Sequence, residues 1–290
     1  MLEGNRDYSH TLHHIHWDDL RADCENCFGL CCVALPFAAS VDFAMNKDAG
    51  VPCSNLQADY RCGIHTNLRE RGCKGCTVFE CFGAGQKVSQ ITFEGIDWRE
   101  GSERAKTMYN VFPIMHQLHE MLWYLHEALM REAVRSIRQE LSMALTETIR
   151  LTELRADELL KLDVPTHRAN VNMLLVQTSE LVWLEVRRNL KGSSNGERKN
   201  YRGADLMGAK LTAADLKGAN FRGAYLIAAD LKHADLRGAD FIGADLRDAD
   251  LCGADLRDSI FLTQVQINAA KGDAHTKLPG ELFRPAHWTP

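Results

Sequence analysis

No stretch of the 290-residue chain approaches the roughly 18 unbroken apolar residues that a membrane helix requires, so no membrane span is expected. The segment from Met1 to Asp23 is acidic and rich in histidine. It lacks the basic leader and apolar run of a secretion signal, so a cytoplasmic location is expected. A basic block is missing as well. Acidic and basic residues number 14 and 9 in residues 1–100, 13 and 14 in 101–200, and 12 and 11 in 201–290, which argues against direct nucleic-acid binding. Residues 102–190 hold only two prolines and almost no glycine, and without these breakers the segment should be helical.

What is present is a 45% hydrophobic composition, enough to bury a substantial core in one to three domains. Five segments follow. Residues 1–100 read as a cysteine-rich metal-binding domain, 101–192 as a helical hairpin or bundle, 193–203 as a linker, 204–263 as a repeat unit, and 264–290 as a C-terminal cap and tail. In the helical block one apolar stripe runs Ile114, Leu118, Met121, Leu122, Leu125, Leu129, and a second runs Val134, Ile137, Leu141, Leu145, Ile149. A third runs Val171, Leu174, Leu175, Val182, Val186. Pro113 is expected to break or begin a helix, and Asp163-Val164-Pro165 before Thr166 reads as a stop followed by an N-cap. His116, His119, Glu120, His126 and Glu127 recur at spacings that share a helix face. They could converge on a metal, but a solvated polar face opposite the Ile114 stripe is the plainer expectation.

From Ala204 the chain repeats every five residues for twelve units. The central residue is Leu or Phe at 206, 211, 216, 221, 226, 231, 236, 241, 246, 251, 256 and 261, and the first is Ala in all but Ser259. A period of five suits neither a helix face nor an alternating strand. A four-sided coil would bring together residues twenty apart, which places Phe221, Phe241 and Phe261 in one stack. These units resemble the pentapeptide-repeat family with its A(D/N)Lxx motif. The resemblance implies a right-handed quadrilateral β-helix of three coils, rising about 14 Å at a strand spacing of roughly 4.8 Å.

So short a solenoid needs covers at both ends. The helical block is expected on the first coil and the tail on the last, with a short capped helix over Gln264 to Ala270 and with Leu278, Leu282, Phe283 and Trp288 packing beneath. On one outer face Asp215, Asp235 and Asp255 should stand beside Lys217, Arg237 and Arg257 as self-compensating ladders. Some relatives of this type imitate B-form DNA and bind DNA gyrase, which would imply a topoisomerase partner and protection from antibiotics. About 14 Å of duplex carries about eight negative charges. Residues 204–258 hold ten Asp against seven Lys or Arg, so that reading stays an alternative.

Nine of the ten cysteines lie between Cys24 and Cys81, at Cys24, Cys27, Cys31, Cys32, Cys53, Cys62, Cys73, Cys76 and Cys81. Thiols two to four residues apart are what a tight turn needs to aim a pair at one ion, and dense cysteine in a reducing compartment points to metal. Adjacent Cys31 and Cys32 point differently, so one can ligate while the other packs or binds a second ion. Nine thiols are enough for two sites. The order resembles the zinc- or iron-chelating CxxCxxCC family over Cys24, Cys27, Cys31, Cys32, Cys53, Cys62 and Cys73. Here three residues, not two, separate Cys27 from Cys31, and Cys76 and Cys81 are additional. Zinc is the expected ion and an iron–sulfur cluster the alternative, since both accept four thiolates. His65, His10, His13, His14 and His16 are further candidate ligands, although solvated positions suit them better.

The sequence thus predicts a multi-domain α plus β protein. Its repeats carry no nucleophile–base pair, phosphate loop or paired acids, so the expected role is binding rather than catalysis. The expected partner is another protein, with a homodimer through the helical block as a further option and iron–sulfur redox chemistry as the enzymatic alternative.

Overall fold

Backbone bridges between parallel segments twenty residues apart organise the C-terminal third. They join Asn200 to Asn220, Asp205 to Tyr225, Lys210 to Asp230 and Asp215 to Asp235, and the series repeats one coil further on as far as Ile260. The computed structural model describes residues 15–189 and 198–288, so residues 193–197 of the expected linker lie outside the described residues. The first bridge falls at Asn200, ahead of the regular repeats. Each side pairs with its neighbours above and below: Tyr225 donates to Ala204 O at 2.9 Å, and Leu206 donates to Tyr225 O at 2.9 Å. The leucines and alanines fill the interior, where Leu226, Leu231, Leu236, Ala229, Ala234 and Ala239 are fully buried. Asp precedes the central leucine because its carboxylate accepts the backbone N–H two residues on, as in Asp230 to Lys232 at 3.2 Å, which fixes the turn.

The aromatic column differs from the sequence expectation at both ends. Phe221 and Phe241 stack with centroids 5.4 Å apart, and Tyr201 extends the column below Phe221 at 5.2 Å. Phe261 is buried, but its backbone turns left-handed at φ 58° and its ring meets Tyr124 edge-on at 5.7 Å. The coil ends there, so no further rung holds that ring flat.

Ahead of the helical block lie the short α1 (Leu30–Val33), α2 (Lys74–Thr77) and α3 (Ala84–Gln86); the block itself is built from α4 (Ser102–Leu129), α5 (Arg138–Thr152) and α7 (Val164–Asn189), with the short α6 (Ala156–Leu159) between the last two. Pro113 neither breaks nor begins a helix; it sits inside α4. The buried neighbours Met108, Val111, Phe112 and Met115 hold the helix through the missing hydrogen bond. Helix α7 is capped by Asp163, whose carboxylate accepts from Thr166 N at 3.1 Å, which leaves Pro165 in the first turn where it is tolerated. The polar stripe of α4 is not a solvated face, since His119 is 5% and Glu127 2% exposed.

Glu127 is buried because it closes the solenoid. Both of its carboxylate oxygens accept the Phe261 N–H, at 2.9 and 3.1 Å, the donor that a next coil would have taken. Arg131 bonds Glu127 at 2.9 Å and Ser259 O at 3.0 Å. The helical block therefore covers the last coil, not the first. The tail shares that end. In α8 (Gln264–Ala269) the Gln266 amide donates to Phe241 O at 2.7 Å and Ala244 O at 2.8 Å. Thr276 donates to Leu251 O at 2.9 Å, and Lys271 and Lys277 add two further bridges. Leu282 and Trp288 are buried, whereas Phe283 is exposed beneath the Arg21 guanidinium.

Helix α7 lies along the flank. Val186 and Trp183 press on the glycine turns of two successive coils, where a Cβ on Gly238 would meet Val186 Cγ2 at 2.5 Å and one on Gly218 would meet Trp183 at 2.9 Å. Arg222 bridges Asp240 at 3.1 Å and also reaches Asn172 of α7. The first coil is the free end, and its inward residues Tyr201, Leu206 and Leu211 are only half-buried.

Two tests follow from this joint. Burial raises the Glu127 pKa to about 7, against the opposing pull of Arg131 and the Phe261 N–H. A carboxyl raised on folding binds its proton more tightly in the native state, so its contribution declines as pH rises from about 4.5 to about 7. Across that window E127Q should gain about 3 kcal/mol relative to the parent chain, read from denaturant unfolding at each pH. Gly223→Ala, at φ 64° with open space around it, should cost about 1–2 kcal/mol, and Gly238→Ala should cost clearly more because Val186 must also move. Equal losses would mean that α7 does not rest on this face.

Candidate metal centre

Residues 17–100 contain few regular elements: α1 (Leu30–Val33), α2 (Lys74–Thr77), α3 (Ala84–Gln86) continuing into a π-helical turn, and isolated bridges at Phe37–Lys47 and Leu56–Cys62. So little hydrogen-bonded framework leaves the region dependent on other ties. Among the described residues no disulfide forms, and the nine cysteines of this region, like Cys252, are free thiols.

Two matching turns carry part of the cluster. Cys27-Phe28-Gly29 precedes α1, and Cys81-Phe82-Gly83 precedes α3. Each glycine is left-handed, Gly29 at φ 66° and Gly83 at φ 79°, which folds the following N–H groups back toward the sulfur. Burial raises the Cys27 pKa, while N–H groups of Leu30 and Gly29 and the Ser89 hydroxyl oppose it. Burial pushes the Cys81 pKa up to about 12, against N–H groups of Gly85 and Gly83. The two turns face each other across Gly85, where a Cβ would lie 2.7 Å from Cys27 Sγ and 3.7 Å from Cys81 Sγ. Ser89 fixes the first turn by accepting Phe28 N at 3.0 Å.

Cys31 and Cys32 sit side by side on α1 with sulfurs 3.9 Å apart. Their contact pushes Cys31 well up, with burial and the charges of Cys32, Cys27 and Cys81 adding to it. The same contact, aided by the Lys47 ammonium, holds Cys32 below the ordinary thiol range. Cys53 N donates to Cys32 O at 2.9 Å, and the Leu56–Cys62 bridge carries Cys62 back toward Cys53. Burial raises Cys62, with Cys32, Cys53 and Cys73 adding to it. Cys76 is exposed at the surface, and partial burial and then Cys32, Cys73, Cys53 and Cys62 push it up to about 12. Cys24 is raised by burial and then by Cys27, Glu80 and Cys32. All nine thiols thus lie within electrostatic reach of others in the set. Among the described residues, no three His, Cys, Asp or Glu side chains are grouped so that they could hold a metal ion.

Lys47 was not foreseen from the sequence. Its side chain is buried, donating to Val33 O at 3.1 Å and Asp48 O at 3.0 Å, and its charge acts with those of Cys53, Cys32 and Cys31. A buried ammonium beside several thiols suits a site meant to hold thiolates.

The histidine candidates do not join this cluster. His65 and His16 are exposed, and His10, His13 and His14 lie outside the described residues. The α4 group does not converge either. His116 contacts Glu80 O at 2.9 Å, His119 contacts Phe82 O at 2.6 Å, Glu120 pairs with Arg168 at 3.0 Å, and His126 packs against Trp17. On the solenoid, Arg237 pairs with Asp235 at 2.7 Å, Arg257 with Asp255 at 2.6 Å, and Lys217 with Asp215 at 2.9 Å and Asp235 at 3.3 Å.

A four-sided coil with a central Leu or Phe on every side and an Asp-fixed turn defines a pentapeptide-repeat protein. The family described as Pentapeptide repeats matches eight copies here, over residues 204–241 and 219–258. Over 279 residues the chain is 61% identical to the uncharacterized protein YybG of Bacillus subtilis (strain 168), covering 96% of this chain and 98% of that one. The chain therefore belongs to one family with YybG, and its C-terminal region is built of pentapeptide repeats. Among solved structures it is similar to alr5209, a pentapeptide repeat protein from Nostoc, at 33% identity over 30% of this chain and 86% of that chain, with a TM-score of 0.23. A pentapeptide repeat protein from the Arabidopsis thaliana thylakoid lumen is 29% identical over 31% of this chain and 68% of its own, with a TM-score of 0.16.

The facing turns can be tested chemically. A short thiol-to-thiol reagent such as dibromobimane, applied to reduced, metal-free protein and mapped by peptide mass spectrometry, should link Cys27 to Cys81. Gly85→Ala should lower that yield several-fold, because the added methyl occupies the space beside Cys27 Sγ.

Proposed function

We propose that the chain is a non-catalytic, metal-binding pentapeptide-repeat protein that acts as a protein-interaction scaffold. What supports this reading is nine free thiols, spaced in short pairs along a region with little secondary structure of its own. The donor chemistry suits zinc: sulfur predominates, with the Glu80 carboxylate near Cys24 and Cys81, backbone N–H groups turn toward Cys27, Cys62 and Cys81, and Lys47 supplies nearby positive charge. A zinc ion held by four thiolates supplies structure and leaves no open position for substrate.

The bound region would then brace the rest. Lys74 pairs with Asp248 at 2.9 Å, Arg69 donates to Asn268 O at 2.9 Å, and Asn268 donates to Thr77 O at 3.2 Å. These ties, like Glu127, fall at the last coil, which leaves the first coil and the side bearing exposed Met207 and Tyr225 for a protein partner. Imitation of DNA draws little support from the solenoid, since its Asp235, Asp245 and Asp255 carboxylates are each paired with an arginine two residues on.

Elemental analysis and a visible spectrum of anaerobically purified protein test the metal. The expected result is a colourless preparation with stoichiometric zinc. A visible absorption bleached by reductant would instead support an iron–sulfur protein, and protein free of both metals would end the metal-binding reading.

A further inference from the structure

We infer that the open first coil is where two copies of this chain join, stacked head to head about a two-fold axis along the diagonal of the square end. This rests on the scaffold reading above, which leaves that end for a protein partner, and it names the partner as a second copy.

The hydrogen-bond pattern defines what this end presents. In the second coil Tyr225 turns both backbone groups to the coil below: its N–H donates to Ala204 O, and its carbonyl accepts from Leu206 N, each at 2.9 Å. Asp205 holds the same position in the first coil, with no coil beneath it, and Asn200, Lys210 and Asp215 hold it on the other three sides. Among the described residues only one of these outward backbone groups finds a partner, Asp215 O, which accepts from the Lys199 ammonium at 2.5 Å. The apolar interior is open at the same place. Leu206 and Leu211 are half-buried, whereas Leu226 and Leu231 one coil above are fully buried. A strand edge with unpaired donors and acceptors is a template for another chain.

The shape of the end selects the partner. An extended peptide can pair with one side of the square, but only another coil end of the same width meets all four sides at once. The last coil of this chain is closed by Glu127, Gln266 and Thr276, which blocks head-to-tail growth and leaves the first coil of a second copy. Turning a copy over reverses the sense in which its chain circles, so facing sides run antiparallel. Residues that present both N–H and C=O then meet as pairs that exchange two hydrogen bonds. Charge fixes the axis. Round the coil, the four sides carry exposed Arg202, Asp205, Lys210 and Asp215 in turn, with Lys217 shared between Asp215 and Asp235 of the coil above. An axis through the middle of a side would lay like charge on like charge, Lys210 on Lys210 or Asp205 on Asp205. A diagonal axis lays each side on a neighbour of opposite sign.

Sedimentation velocity of the whole chain under reducing conditions, across roughly 1–300 µM, should show a concentration-dependent monomer–dimer equilibrium, because one coil end is a small contact. Amide exchange in residues 200–217 should slow as the dimer forms. Lys210→Pro removes an outward N–H that no bond inside the stack uses, and Lys210→Asp sets acid against acid. Each should weaken dimerisation about tenfold or more while leaving the unfolding transition in place. Should Lys210→Pro fail to fold, Lys210→Asp decides. A monomer throughout the range would overturn the second copy as partner, while leaving both the metal and a different protein partner open to their own tests. A dimer that neither variant weakens, or one that protects α4 or α5 in place of residues 200–217, would overturn it as well.

Discussion

Every backbone group on a solenoid coil needs a partner twenty residues away, and that constraint can be met only while another coil exists. Inside the stack it is met by repetition, so a five-residue unit suffices. At the last coil it must be met by other means, and the chain supplies side chains: Glu127 for the Phe261 N–H, Arg131 for Ser259 O, Gln266 for Phe241 O and Ala244 O, and Thr276 for Leu251 O. An unmet buried amide or carbonyl costs on the order of 1–3 kcal/mol, comparable to a sizeable part of a domain's stability. The helical block, the tail and the cysteine region all meet where those groups need cover.

The cysteine region faces the same shortage in another form. With short helices and single bridges it cannot satisfy or fix its own backbone over long loops, and its buried apolar residues are few beside those of α4 and the solenoid. An ion bound by some of the free thiols, as proposed, would substitute for a larger core, because a few strong bonds to one ion fix many residues at once. The left-handed glycines after Cys27 and Cys81 have a use in that setting, as they turn N–H groups toward sulfur.

Much of this was legible in the sequence. The twenty-residue recurrence of Phe221 and Phe241 fixed the coil, since a five-residue period with a large apolar centre has few other ways to close. The α8 cap was legible because Thr263 and Gln266 form a capping box that local sequence alone specifies. Phe261 misled, because a pattern cannot reveal that the next coil is missing and that α4 stands in its place. Glu127 and His119 misled for a related reason. Polar residues on a helix normally face water, and only tertiary contact, 134 residues away in sequence for Glu127 and Phe261, makes burial affordable. Lys47 and Gly85 carried no signal at all, since their meaning depends on which thiols they touch.

Two different kinds of closure, hydrogen-bonded in the solenoid and, as proposed, thiolate in the cysteine region, would hold two parts of one chain. Hydrogen exchange followed by mass spectrometry, before and after removal of bound metal by a strong chelator, tests it most directly. Exchange should accelerate through residues 24–81 while the amides of Phe221, Leu231 and Phe241 stay protected. Unchanged protection in residues 24–81, or equal loss in the solenoid, would contradict it.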